Sequence, residues 1–235
     1  MAVADTLVYH PSVDHYLKFV ATTTGRDKLI RTFQYFARFY AWYLFRTNKS
    51  PSEIAPFEAI KKQFSLTRKL LRIGKNVEHF KAACLAADSK NLDTMLRFCA
   101  VGRQLGYAGY LSFDAAVYFD AAGILKSPSV KRIQRESNKC WICGLLFGTI
   151  SGLYSLYLLK QQESRIDRKN GEDVVASRRI QKERTAINLQ LISDLCDLTI
   201  PTSAIGLVNL DDGIVGLAGT LSSLIGVYTQ WKKTA

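Results

Sequence analysis

The twenty residues Cys140–Leu159, CWICGLLFGTISGLYSLYLL, contain no charged side chain. As a helix rising 1.5 Å per residue they span about 30 Å, the thickness of one hydrocarbon core. Lys139 precedes the run and Lys160 follows it. Trp141 lies at one edge, with Tyr154 and Tyr157 toward the other, as in the aromatic belts of membrane helices. We read the run as a transmembrane helix, a buried helix of a large soluble protein being the plainer alternative.

On the C-terminal side, residues 160–185 are densely charged with both signs mixed and read as a polar connecting loop or exposed helix. Region 186–235 then holds an amphipathic helix over 186–198, interrupted by Pro201, and a second charge-free run over 213–231. That run is rich in Gly and Ser and reads as a second membrane segment, either spanning or re-entrant and interfacial. On the N-terminal side, Lys126, Lys131, Arg132, Arg135 and Lys139 make a basic loop opposed only by Glu136. Residues 91–125 form a helical pattern whose Arg103, Asp114 and Asp120 argue against a full crossing, since each costs roughly 2.5–3.5 kcal/mol at a bilayer centre. Residues 7–47 are helical by period, with Gly25 as the expected break. The expected organisation is a basic cytosol-facing region (1–139), a span (140–159), a charged connector (160–185) and an amphipathic helix with a second membrane segment (186–235).

The net charge is +12, which calls for an anionic partner. It is concentrated before the span: residues 1–139 carry 22 Lys and Arg against 11 Asp and Glu, residues 140–235 carry 10 against 9. A basic part joined to an apolar part suits a membrane surface better than nucleic acid. Five widely spaced cysteines do not suggest a disulfide framework, and no secretory signal pattern is expected in a start interrupted by Asp5, His10, Pro11, Asp14, His15 and Lys18.

The segment with most to say about function is an amphipathic helix over about 57–87. Leu66, Leu70, Ile73, Val77, Phe80 and Cys84 recur at spacings of four and three, placing them on one stripe. Lys61, Arg68, Lys69, Arg72 and Lys75 fall opposite, with Lys62 nearer the margin. A helix apolar on one side and cationic on the other lies in an anionic lipid surface, although the same pattern also suits a helix packed on its own domain. Wedging Leu66, Leu70, Ile73, Val77 and Phe80 among headgroups expands one leaflet and favours curvature. Within the span, Gly144, Gly148 and Gly152 form two overlapping GxxxG units that let helices approach closely, within the chain or between copies.

The residues offer no catalytic site. Cys140 and Cys143 have CxxC spacing without a second pair, and His10, His15 and His79 share no metal-ligand spacing. Neither a nucleophile-elbow nor a nucleotide-binding pattern occurs. The expectation is a protein that is not an enzyme and takes no cofactor or metal.

The segment Asp5-Thr-Leu-Val-Tyr-His-Pro-Ser-Val13 resembles the start of fungal members of the peroxin-eleven family of peroxisome proliferation proteins. Gly25-Arg-Asp-Lys28, Arg31, Gln34-Tyr35 and Arg38-Phe39 continue the likeness, as does Phe64-Ser-Leu-Thr-Arg-Lys-Leu-Leu-Arg72. The resemblance implies a peroxisomal membrane protein with both termini toward the cytosol. It would elongate the membrane before fission through an amphipathic helix, self-associate as a homo-oligomer and act with dynamin-like fission machinery. Its helix would map onto about 61–85 here. The expected fold is therefore all-α: an integral membrane protein with amphipathic surface helices and one to two transmembrane helices, bound to an anionic phospholipid membrane. A metabolite pore is the main rival, its polar path drawn from Arg103, Asp114, Asp120, Asp194 and Asp197. A soluble helical nucleic-acid binder is the third reading.

Overall fold

The computed structural model describes residues 9–164 and 171–235. Among the described residues there are eight helices and no strand: α1 (Pro11–Ala21), α2 (Thr23–Arg46), α3 (Pro51–Leu71), α4 (Lys75–Asp88), α5 (Thr94–Ala121), α6 (Val130–Ser164), α7 (Gly171–Ala204) and α8 (Asp212–Thr234). The fold class is all-α, as the periodicities require. The helices fall into two units, α1–α3 with α8 and α4–α7.

In the first unit α2 lies between α3 and α8, antiparallel to both. Its N-terminus is fixed by Thr22, whose Oγ1 accepts a hydrogen bond from the Gly25 backbone N–H at 3.0 Å. The chain therefore turns at Thr22, and Gly25 lies inside the first turn of α2. A β-carbon on Gly25 would collide with the Phe19 carbonyl, so the glycine serves a close approach and not the expected break. Along α8, Gly213, Gly216 and Gly219 seat Trp42, Phe39 and Tyr35 of α2 in turn. A β-carbon at Gly216 would lie 2.6 Å from the Phe39 backbone nitrogen, so the two helices touch nearly backbone to backbone. Asp211 caps α8 by accepting from the Ile214 N–H at 2.9 Å. Phe19 and His15 of α1 close the far end against Trp231, with ring centroids at 5.5 and 3.8 Å.

The second unit is an antiparallel succession in which α5 packs on α4 and α6, and α6 on α7. Here the closest approach is glycine on glycine: a β-carbon at Gly106 would meet the Gly144 Cα at 2.6 Å. Next to this crossing Trp141 stacks on Tyr110 (centroids 4.9 Å apart), and Ser137 donates to the Tyr110 carbonyl at 3.1 Å. Trp141 is thus buried against α5.

α6 is a single helix of 35 residues. Among the described residues it alone is long and apolar enough to cross a membrane by length and composition. The charged stretch after the span is helical wherever it is described, α6 running to Ser164 and α7 starting at Gly171; residues 165–170 lie outside the described part. Pro201 sits within α7, buried, three residues before its end, and does not interrupt it as expected.

Candidate membrane-binding surfaces

The segment expected as one amphipathic helix is two. α3 ends at Leu71 and α4 begins at Lys75; between them Gly74 has φ +82°, a left-handed conformation that side chains with a β-carbon avoid. The periodicity of Leu66, Leu70, Ile73, Val77 and Phe80 passes across a turn that the pattern alone does not reveal.

On α3 the basic residues divide. Lys62 is exposed, and Lys69 is half-buried. Lys61 pairs with Glu58 at 2.7 Å and reaches Asp212 at 3.5 Å. Arg68 leaves the expected cationic face altogether: it is 7% exposed and donates to Asp27 at 2.9 Å and to Gln34 at 2.8 Å. The cause is α2, where Asp27, Arg31 and Gln34 recur at spacings of four and three and are all buried. A buried carboxylate needs a counter-charge, and Arg68 supplies it. That polar stripe was visible in the sequence but hidden among the aromatics of α2.

On the second unit Arg72 behaves alike. It donates to Asp114 at 2.8 Å and to the Tyr110 hydroxyl at 2.8 Å, and lies over the Tyr110 ring. Lys75 is half-buried at the start of α4. His79 meets Gln104 at 2.7 Å and stacks on Tyr107, which sets how α4 lies on α5. The apolar residues contrast with these arginines: Leu70, Ile73, Val77 and Phe80 are 51, 42, 65 and 48% exposed, and Leu66 is half-buried. Side chains of this size stand in solvent on both helices, while the arginines turn inward.

Gly144, Gly148 and Gly152 all face partners within the chain. A β-carbon on Gly144 would lie 3.2 Å from the Arg103 carbonyl, one on Gly152 2.6 Å from Leu191, and one on Gly148 would strike the Arg103 guanidinium. The other side of α6 presents Leu146, Ile150, Leu153 and Tyr157, spaced four, three and four, as an exposed apolar stripe.

Beside Gly148, about midway along the charge-free run, Arg103 of α5 and Asp194 of α7 form a two-pronged ion pair (2.7 and 3.1 Å), and Gln190 donates to the same carboxylate at 2.8 Å. Next to it is a cavity of about 250 Å³ lined by Arg103, Gln104, Ser151, Ser155 and Gln190 among apolar neighbours. Asp197, also buried on α7, lies near enough to Arg103 to add to its electrostatic stabilisation, whereas Asp114 holds Arg72 and Asp120 accepts from the Ser127 N–H at 2.8 Å. Among the described residues no group of three His, Cys, Asp or Glu is placed to hold a metal ion.

The family model for Peroxisomal biogenesis factor 11 (PEX11) matches residues 13–231. This chain belongs to the PEX11 family. It is 32% identical to the Saccharomyces cerevisiae peroxisomal membrane protein PMP27, over 99% of this chain and all of that one. The Candida boidinii peroxisomal membrane protein PMP30B is 29% identical over 97% of each chain, and Homo sapiens peroxisomal membrane protein 11B 24% over 92% of this chain and 96% of that one. No solved structure matches. The residues matched to the PEX11 family run from α1 into α8 and so include both units.

Proposed function

We propose that this chain is a peroxisomal membrane protein, anchored through α6 with its N-terminal region toward the cytosol, that bends and elongates the membrane ahead of fission. The observation that carries this reading is the exposure of Leu70, Val77 and Phe80 on helices that also bear Lys61, Lys62, Lys69 and Lys75, and of Ile73 in the turn between them. Each apolar side chain removed from water contributes up to about 1.5–3 kcal/mol, and each nearby lysine about 1 kcal/mol at an anionic surface. α3 and α4 each act as a short wedge, with Arg68 and Arg72 holding them to their own units. Self-association concentrates the wedges, and dynamin-like machinery acts on the tubule. Because the three glycines of α6 are occupied within the chain, contacts between copies use other surfaces.

The test is tubulation of anionic giant vesicles by the full-length protein. Wild type draws tubules; L70D/I73D/V77D leaves the protein resistant to alkaline carbonate extraction but gives smooth vesicles. Tubulation undiminished in that variant overturns the wedge.

The buried charge of Arg103 and Asp194, beside a mostly apolar pocket that Gln104, Ser151, Ser155 and Gln190 also line, favours a second reading, passage of small polar metabolites. Conductance of reconstituted protein that changes with Ser151→Leu supports it, and silent bilayers remove it.

A further inference from the structure

We infer that the first three turns of α6 form an anionic-phospholipid collar, separate from the surfaces of α3 and α4. The inference rests on α6 crossing the bilayer and does not depend on membrane bending.

The first ground is length. α6 has 35 residues, about 52 Å of helix, against about 30 Å of hydrocarbon. With Cys140–Leu159 filling the hydrocarbon, residues 130–139 rise about 15 Å through and above the headgroup layer.

The second ground is charge. Lys131, Arg132, Arg135 and Lys139 are all exposed. Lys131, Arg135 and Lys139 recur every four residues with Arg132 next to Lys131, so the four share a sector of about 100° of the helix. Ser137 lies on the reverse face, buried against Tyr110 of α5. Glu136 is the sole acid on these turns; Lys139 binds it at 2.7 Å and holds its carboxyl below the ordinary glutamate range. Lys131, Arg132 and Arg135 make no hydrogen bond or ion pair among the described residues, in contrast to Arg68 and Arg72, which are tied to Asp27 and Asp114. Three cations without such a partner therefore stand together at the mouth of the span. Guanidinium groups at headgroup height match phosphate geometry, and a phosphate with a second negative group gains more than a zwitterion.

The experiment reconstitutes the full chain in phosphatidylcholine vesicles with about 20 mol% phosphatidylserine and measures, by spin-labelled lipids, the preference of the protein-bound shell for serine over choline headgroups. The expected preference is about threefold at low salt, falling toward unity at about 0.5 M salt as the Debye length shrinks. K131Q/R132Q/R135Q removes it, the charge-preserving K131R/R132K/R135K retains it, and K62Q/K69Q leaves it unchanged. A preference that survives K131Q/R132Q/R135Q, or that vanishes only with K62Q/K69Q, overturns the collar. Carbonate extraction is run on each variant: release of the wild-type protein would refute the span itself, a failure distinct from loss of selectivity.

Discussion

The two charge-free runs, 140–159 in α6 and 213–231 in α8, look alike in composition but pack differently. α6 meets α5 glycine to glycine at Gly106 and Gly144. It keeps its other side apolar and continues as helix well past the run at its N-terminal end. α8 is short, and Gly213, Gly216 and Gly219 seat large rings of α2. Its exposed side is nevertheless regular: Ile214, Leu217, Leu221, Leu224 and Tyr228 at spacings of three and four. Absence of charge is therefore a poor guide on its own to what a helix does. In both helices the small-residue face is taken up by a partner within the chain and the opposite side is apolar, so the difference that remains is length and hydropathy, by which α6 alone among the described residues qualifies as a candidate span.

The comparison can be broken most severely at the glycine crossing. Gly106→Leu places side-chain atoms into the Gly144 backbone, which cannot move aside; the expected loss is about 3 kcal/mol or more, read as an early thermal transition and protease sensitivity in detergent. Charge insertion sharpens the contrast between the runs. Ile150→Lys costs about 2.5–3.5 kcal/mol if α6 is embedded and should make much of the protein carbonate-extractable, whereas Leu221→Lys on α8 leaves it in the pellet. Equal release by the two substitutions would give both helices the same standing in the membrane. Gly216→Ala crowds the Phe39 backbone nitrogen and is expected to cost about 1–3 kcal/mol, with the loss confined to the first unit by hydrogen exchange.

The smallest effect concerns Asp212 at the head of α8. Partial burial, the largest influence, raises its pKa, but Arg38 at 2.6 Å and Lys61 together outweigh it and hold the carboxyl below the ordinary aspartate range. Its contribution is present above the unfolded aspartate pKa and is lost as pH falls through the lower folded value. The side chain is 44% exposed, so screening keeps the contribution to about 1 kcal/mol or less. Denaturant midpoints of wild type and Asp212→Asn should differ slightly at neutral pH and converge in acid.

Helical content, the span and the exposed apolar residues of 66–80 were legible because each rests on local pattern. What stayed hidden depends on partners distant in the chain. Arg68 looks like any surface cation until Asp27 and Gln34 are placed beside it, 41 and 34 residues away. The stacking of Trp141 on Tyr110, 31 positions away in the chain, leaves no local trace either. Gly74 was a visible stop signal, overridden because the three-and-four spacing happens to continue across it. The family resemblance was legible from residues 5–72 and extends to residues 13–231 as a whole.

The Arg103–Asp194 pair also bears on the timing of assembly. Its partners are 91 residues apart, and they meet beside the middle of the charge-free run. While the chain is being made, Arg103 emerges long before its counter-charge exists. α5 cannot settle beside α6 at low cost until α7 has been synthesised. The seating of α5 on α6 therefore depends on α7, a helix with which it shares one buried charge pair.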